Sequence, residues 1–396
     1  MKFPNTNILK GEMVAKTLSG LEEVLADELS AIGAADVIPM KRSVRFSGDK
    51  SILYKANLTC RTATRILKPV KRFQAGSAGE LYHNVSQIDW SDYMDVDQTF
   101  AIDAVINYSE FSNSMFVAQK TKDAIADWFR KRQEKRPSVD ATDPDIRINV
   151  HIKKKTATLS LDSSGGPLSH RGYRKEGGKA PLSEVLAAGI IKMSGWDGSS
   201  AFVDFMCGSG TFIIEAGLIA KNIAAGLNRE YFGFFNWKDL DKNLWDNIKS
   251  QAKASILTQL NCKIVGSDID PAQVSQTMAN IKLAGLSKDI KIECKSLERQ
   301  KPPASKGIVI INPPYGERMP VSEINELYKK IGDALKQRFI GYDAYILTSN
   351  LEAAKNIGLR ATRRIKLYNG PLECRLLKFE IYKGSKKQKK QGNNRS

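Results

Sequence analysis

The sequence predicts an α/β protein, with a doubly wound, mostly parallel sheet in its carboxyl-terminal half and smaller α+β units before it. Three observations carry this reading. From Pro181 onward, short apolar runs alternate with amphipathic stretches, the pattern of strands joined by crossover helices. Ile308–Ile311 is a continuous β-branched run, as a strand buried on both faces requires, and Asn312-Pro313-Pro314-Tyr315 follows it at once. The first residues read strand, helix, strand, strand, helix, which suits a small α+β sandwich.

Composition narrows the class. At 396 residues the chain has room for about two or three domains and ample core. Its 42% hydrophobic content is ordinary for a globular protein. The five cysteines (Cys60, Cys207, Cys262, Cys294, Cys374) form no Cys-x-x-Cys pair and the three histidines are scattered, so no metal site or disulfide framework is expected. Without a long apolar run or a signal-like start, the expectation is no membrane and a cytoplasmic location. A formal charge of +18 points to a polyanionic partner, most simply nucleic acid, although lysine-rich surfaces also serve solubility.

Taken in order, Met13–Leu18 reads as a strand, and a helix with Leu21, Val24, Leu25 and Leu29 on one face ends near Gly33. Val37–Met40 and Ser43–Ser47 are short strands and Asp49–Leu58 a helix, closing a unit over residues 1–58. Arg61–Phe73 starts a second unit, 59–165. Within it Gly79–Tyr93 reads as a helix, Thr99–Ile106 as a strand and Ser114–Arg132 as a long helix. Ile146–Ile152 and Thr156–Leu161 then form a hairpin with Lys153, Lys154 and Lys155 at its tip, either solvated or touching phosphate. Gly-rich Ser163–Lys179 is the linker. Its Arg171-Gly172-Tyr173-Arg174 suits an RNA contact, a strap over a cofactor, or arginines paired with interior carboxylates.

The third unit, 166–382, begins with a helix over Pro181–Ser194 and a buried strand, Ala201–Phe205. Cys207-Gly208-Ser209-Gly210-Thr211 then leads into a helix. Glycines between strand and helix let the backbone approach a ligand, and the helix start offers free N–H groups. A dinucleotide fingerprint would want glycine at 213, where Ile213 stands. Lys263–Asp268 is the next strand, and its terminal Asp268 suits a ribose. Asp270 before Pro271 is an N-cap for the helix Pro271–Leu283. The aromatic run Tyr231, Phe232, Phe234, Phe235 and Trp237 reads as local packing. Ile290–Cys294 and Asp343–Thr348 add strands, Ser322–Arg338 and Leu351–Ile357 helices. Arg363–Leu367 and Arg375–Tyr382 form a closing antiparallel hairpin through Asn369-Gly370-Pro371. Residues 383–396 hold no apolar side chain and are expected to be a disordered basic tail.

The central stretch is Asn312–Tyr315. Pro313 and Pro314 lack an N–H and fix φ, so the strand ends in a stiff turn that presents an Asn amide, carbonyls and an aromatic ring. Asn312 and the Pro313 carbonyl can accept the two hydrogens of an exocyclic amine while Tyr315 stacks on its base. Carbonyl dipoles aimed at the nitrogen stabilise the positive charge it gains on attacking a methyl group. The bland alternative is an ordinary Asn-Pro turn.

Three motifs in this order, Asp204-Phe-Met-Cys-Gly-Ser-Gly-Thr211, Gly266-Ser-Asp-Ile-Asp-Pro271 and Asn312-Pro-Pro-Tyr-Gly-Glu-Arg318, resemble the Rossmann-fold S-adenosylmethionine-dependent methyltransferases that modify exocyclic amines. The preceding half is similar to a ferredoxin-like plus THUMP RNA-binding module. Together they resemble the bacterial THUMP-containing enzymes that make N2-methylguanine in large-subunit ribosomal RNA, in their stand-alone, single-methyltransferase form. The resemblance implies a class I methyltransferase domain, S-adenosylmethionine as cofactor and RNA, 23S rRNA in particular, as partner. By it, Asp204, Cys207, Gly208, Ser209, Gly210 and Thr211 hold the methionine end, Asp268 and Ile269 the ribose, and Asn312, Pro313, Pro314 and Tyr315 the target amine and base. Two departures stand out: Phe205 where the family has proline, and Ser296 where an acid usually faces the adenine. The competing readings are a transfer-RNA guanine-N2 enzyme, a DNA adenine-N6 enzyme using the same Asn-Pro-Pro-Tyr chemistry, and a catalytically silent RNA-binding assembly factor.

Overall fold

A computed structural model of the chain describes residues 8–174, 182–316 and 319–384. Part of the linker, Glu317-Arg318 of the third motif, and the basic tail from 385 lie outside the described residues. The chain divides into two compact units. The first comprises Met1–Thr17, Leu25–Leu168 and Arg229–Gln251, the second Leu18–Val24, Ser169–Asn228 and Ala252–Ser396.

The first unit is built on one seven-stranded sheet. Its elements are β1 (Glu12–Thr17), α1 (Glu22–Ala31), β2 (Ala35–Met40), β3 (Ser43–Ser47), α2 (Lys50–Thr59), β4 (Ala63–Gln74), α3 (Ala78–Ser86), β5 (Phe100–Asn107), α4 (Ser114–Gln133), β6 (Ile146–Lys153) and β7 (Thr156–Asp162). The strand order is β2-β3-β1-β4-β7-β6-β5, antiparallel except for the parallel pair β5 and β6. The stretch read only as the start of a second unit is the twelve-residue strand β4. It pairs with β1 on one side and β7 on the other, so the ferredoxin-like and THUMP stretches share a sheet. Pro69, which cannot donate to a ladder, sits where the β4–β7 register slips. The helix expected over Gly79–Tyr93 stops at Ser86. Asp89 instead caps a short 3-10 turn at Trp90, whose indole donates to the Val85 carbonyl at 3.1 Å.

The aromatic run around Phe234 packs on this unit. Tyr54 of α2 stacks on Phe234 with ring centroids 4.5 Å apart. Trp245, 5% exposed, meets Tyr54, Phe232, Phe234 and Phe235 edge-on. Trp245→Ala should therefore cost about 3–5 kcal/mol, read as a lowered midpoint in denaturant unfolding.

The second unit carries α5 (Glu184–Met193), β8 (Ala201–Asp204), α6 (Thr211–Ala220), the end of α7 (Lys242–Ala254), β9 (Ile264–Asp268), α8 (Pro271–Leu283), β10 (Ile290–Cys294), β11 (Gly307–Ile311), α9 (Val321–Arg338), β12 (Tyr342–Thr348), α10 (Leu351–Ala354), β13 (Arg363–Asn369) and β14 (Leu372–Glu380). Its sheet runs β10-β9-β8-β11-β12-β14-β13. The first five strands are parallel, and β14 and β13 close the edge antiparallel. From β8 the chain walks outward to β9 and β10, then returns to lay β11 on the other side of β8. That reversal opens a crevice at the carboxyl ends of β8 and β11, the place where such sheets bind ligands. Val309, Ile310 and Ile311 are fully buried, as their run predicts. No helix among the described residues is long and apolar enough to cross a membrane.

Candidate active site

The glycine turn after β8 is tied down from three sides. Gly208 donates its N–H to Asp268 Oδ2 at 2.9 Å, bridging the end of β8 to the end of β9. Cys207 N–H reaches the Ser267 carbonyl at 3.0 Å. On α8, the Thr277 hydroxyl donates to the Gly208 carbonyl and Asn280 Nδ2 to the Ser209 carbonyl at 2.9 Å. Gly210 is left-handed at φ +84°, and a Cβ there would lie 2.7 Å from Thr277 Cγ2, so glycine is required twice over. Thr277 and Asn280 escaped sequence reading. Their only signal is a pair of buried polar residues three apart on the helix that follows Asp268.

The acids differ in environment. Asp204 is 1% exposed and accepts one hydrogen bond, from Met206 N–H at 3.1 Å. Burial, and secondarily the nearby Asp268, hold its carboxyl well above the usual range. Asp268 is half-buried. Its Oδ1 accepts the Asp270 N–H at 3.0 Å, leaving each carboxylate oxygen a free lone pair. Asp270 caps α8 through Ala272 N–H at 2.8 Å, with Pro271 at its first position. Ile269 is 72% exposed beside Asp268. Burial pushes the Cys207 thiol up, so it stays neutral. Ser296, half-buried, follows β10; Lys295 N–H bonds the Asp268 carbonyl at 2.9 Å, which brings this segment alongside the end of β9. Buried Gln300, also missed from sequence, fixes the segment through Ser267 Oγ at 2.8 Å and the Ser296 carbonyl at 3.2 Å.

At the end of β11 the two prolines leave a turn whose carbonyls must find partners elsewhere. Tyr328 O–H reaches the Pro314 carbonyl at 3.3 Å, and Asn350 Nδ2 the Tyr315 carbonyl at 2.9 Å. The buried Pro313 carbonyl accepts no hydrogen bond from the described residues. Tyr315 departs from a free stacking platform. Its ring packs against the core, and its hydroxyl donates to Asn312 Oδ1 at 2.5 Å. Asn369 Nδ2 and Cys374 Sγ face that hydroxyl at 3.5 and 3.7 Å, and burial, with Cys374 next to it, pushes its pKa up.

The linker arginines are not free for RNA. Arg171 is 2% exposed at its side chain and lies 3.6 Å from Glu215, which also accepts from the Tyr173 hydroxyl at 3.0 Å. Arg174 pairs with Glu184 at 2.7 Å and donates to Thr211 Oγ1 at 2.7 Å. The RNA-contact reading of Arg171 and Arg174 is thus corrected: interior carboxylates in the same unit hold both guanidinium groups. Lys153, Lys154 and Lys155, in the other unit, are exposed at the β6–β7 turn, with Lys155 3.2 Å from Glu110. No group of three His, Cys, Asp or Glu among the described residues could hold a metal ion.

A strand-end acid, a glycine turn into a helix and a second strand-end acid, set at the switch point of such a sheet, define a class I S-adenosylmethionine-dependent methyltransferase. The chain belongs to the RMKL-like methyltransferase family, whose domain matches residues 171–378, preceded by a THUMP domain at 75–162 and an RlmL ferredoxin-like domain at 12–67. It is 42% identical, over 91% of its length, to a ribosomal RNA large subunit methyltransferase K/L of Syntrophotalea carbinolica, but spans only 52% of that protein. A Synechocystis sp. protein with a provisional RNA methyltransferase name is 40% identical and covered to 96%. A crystal structure of a provisionally named methyltransferase complexed with SAH superposes with a TM-score of 0.84 at 30% identity, covering 94% of this chain and 99% of that one. The cofactor is S-adenosylmethionine.

Two outcomes are expected at this site. Asp268→Ala should lose about 1.5–3 kcal/mol of cofactor affinity in calorimetry, the worth of a charge-assisted hydrogen bond. Cationic groups of the cofactor near Asp204 favour its ionised form, so binding should release a proton. Affinity then rises with pH through the raised range of the free carboxyl. Calorimetry in buffers of different ionisation enthalpy reads the proton, and Asp204→Asn should abolish it.

Proposed function

We propose that this chain transfers a methyl group from S-adenosylmethionine to the exocyclic N2 amine of a guanine in RNA, 23S rRNA in particular. The bound cofactor supplies an electrophilic methyl on a sulfonium. The protein's part is to bind, aim and stabilise. Asp204, Cys207 and Gly208–Thr211 take the methionine end, and Asp268 the ribose. Ile269 offers an apolar face to the adenine, and Ser296 stands near its edge.

The observation that carries the reading is the turn Asn312–Tyr315 in the same crevice as the glycine turn, with an unspent Pro313 carbonyl beside the Asn312 amide. Those two oxygens suit the two hydrogens of an amine and the charge that grows on its nitrogen. RNA as substrate is supported by the THUMP domain and by the names of the K/L relatives. Exposed Lys153, Lys154 and Lys155 would add phosphate contacts that position without reading sequence. A ribosomal substrate places the enzyme in the cytoplasm.

Mass mapping of modified nucleosides in 23S rRNA and tRNA from a deletion strain tests the reading. One N2-methylguanine missing from 23S rRNA is expected; loss confined to tRNA, or to N6-methyladenine in DNA, would refute it. Asn312→Ala should leave cofactor affinity intact and slow single-turnover methyl transfer about a hundredfold or more. A wild-type rate in that variant would end the assignment. Tyr315→Ala should weaken base capture by about 1–3 kcal/mol if the ring swings out to stack. Tyr315→Phe keeps the ring and releases Asn312 Oδ1, so its rate should stay near wild type.

A further inference from the structure

Arg174 stands where two helices begin. Glu184, 2.7 Å from its Nη1, is the first residue of α5, and Thr211, which accepts from its Nη2 at 2.7 Å, is the first of α6. Neither helix has a side-chain cap on its leading N–H groups. Each start therefore presents roughly half a positive charge. With the guanidinium this makes about two positive charges against the one carboxylate of Glu184, so about one is unmatched. The neighbouring Arg171–Glu215 pair is neutral in itself and leaves that count unchanged. Arg174 Nε, moreover, is a buried donor without a hydrogen-bond partner. An orphaned buried N–H calls for an explanation, and beside a surplus of positive charge the explanation is an anion.

The glycine turn that Thr211 closes receives the amino-acid end of the cofactor, which carries a sulfonium, an ammonium and one carboxylate. Asp204 and Asp268 match the cationic groups and offer nothing to the carboxylate. Arg174 is the cation bonded into this turn. We propose that Arg174 is the receptor for the methionine carboxylate of S-adenosylmethionine, with the amino ends of α5 and α6 completing the anion site. This rests on the cofactor and is independent of which base is methylated.

The test is calorimetry on the full chain without RNA, comparing S-adenosylmethionine with its decarboxylated form, which keeps the sulfonium and the amine. The wild-type protein should bind the decarboxylated form about tenfold to a hundredfold more weakly, as loss of a charge-assisted contact implies. Arg174→Ala should weaken S-adenosylmethionine by a similar factor and leave the decarboxylated form unchanged. If Arg174 merely braces α5 against α6, both ligands lose affinity together, and the proposal is overturned; no loss for either overturns it as well. Should the alanine variant lack a cooperative thermal transition, Arg174→Lys carries the same comparison. It keeps the charge but not the fork, so S-adenosylmethionine should weaken alone. A failure of the guanine reading would appear in RNA assays and leave these affinities untouched.

Discussion

The hydrogen bond from Gly208 N–H to the Asp268 carboxylate is the contact on which the cofactor half of the site depends. It ties the turn that leaves β8 to the last residue of β9, two neighbouring strands whose ladder has already ended. Without it the turn would have to hold a left-handed Gly208 and Gly210 by itself. With it, α8 can reach across, and Thr277 and Asn280 take the carbonyls the turn exposes. A carboxylate that accepts two backbone N–H groups is also aimed: its remaining lone pairs point where a ribose diol can use them. One residue is thus both a structural clasp and a ligand acceptor.

Sheet order then decides what meets what. Because β11 returns beside β8, Asn312 leaves the sheet next to the glycine turn, although about a hundred residues of chain separate them. The parallel ladder Ile308↔Phe202 and Val309↔Val203 fixes that approach, and the fully buried β11 run makes a slip costly, since it would turn apolar side chains out of the core. Asp204 pays the opposite cost, as a buried acid with a single hydrogen bond. Such an arrangement persists where a cationic partner arrives from outside the chain.

Much of this was legible in the sequence because the deciding patterns are local. Pro271–Leu283 and Ile290–Cys294 have the expected bounds, the first set by an Asp-Pro cap and the second by apolar alternation. The strand-end positions of Asp268 and Asn312 followed from the same logic. What was hidden depends on partners distant in the chain. Strand β4 reads as basic and mixed because its two faces meet different neighbours along its length. The aromatics of Arg229–Gln251 signal packing but not that Tyr54 is their partner. Arg171 and Arg174 look like surface cations until Glu215 and Glu184, on later helices, are seen to hold them. Nothing local distinguishes an arginine bound for a phosphate from one bound for an interior acid.

The turn at Asn312 shows why two consecutive prolines suit an amine site. A turn of ordinary residues could satisfy its own carbonyls with its own N–H groups; this one has lost two donors. Tyr328 and Asn350 make good the Pro314 and Tyr315 carbonyls from α9 and from the end of β12. The Pro313 carbonyl is left over, buried and unspent. Asn312 Oδ1 is half spent, with the Tyr315 hydroxyl on one lone pair and the second still open. Two acceptors that lack donors, side by side at the mouth of a methyl-donor site, are complementary to a group with two hydrogens and no need of a base. A hydroxyl would satisfy only one of them. An exocyclic amine satisfies both, and it gains the positive charge that these dipoles favour as the methyl arrives.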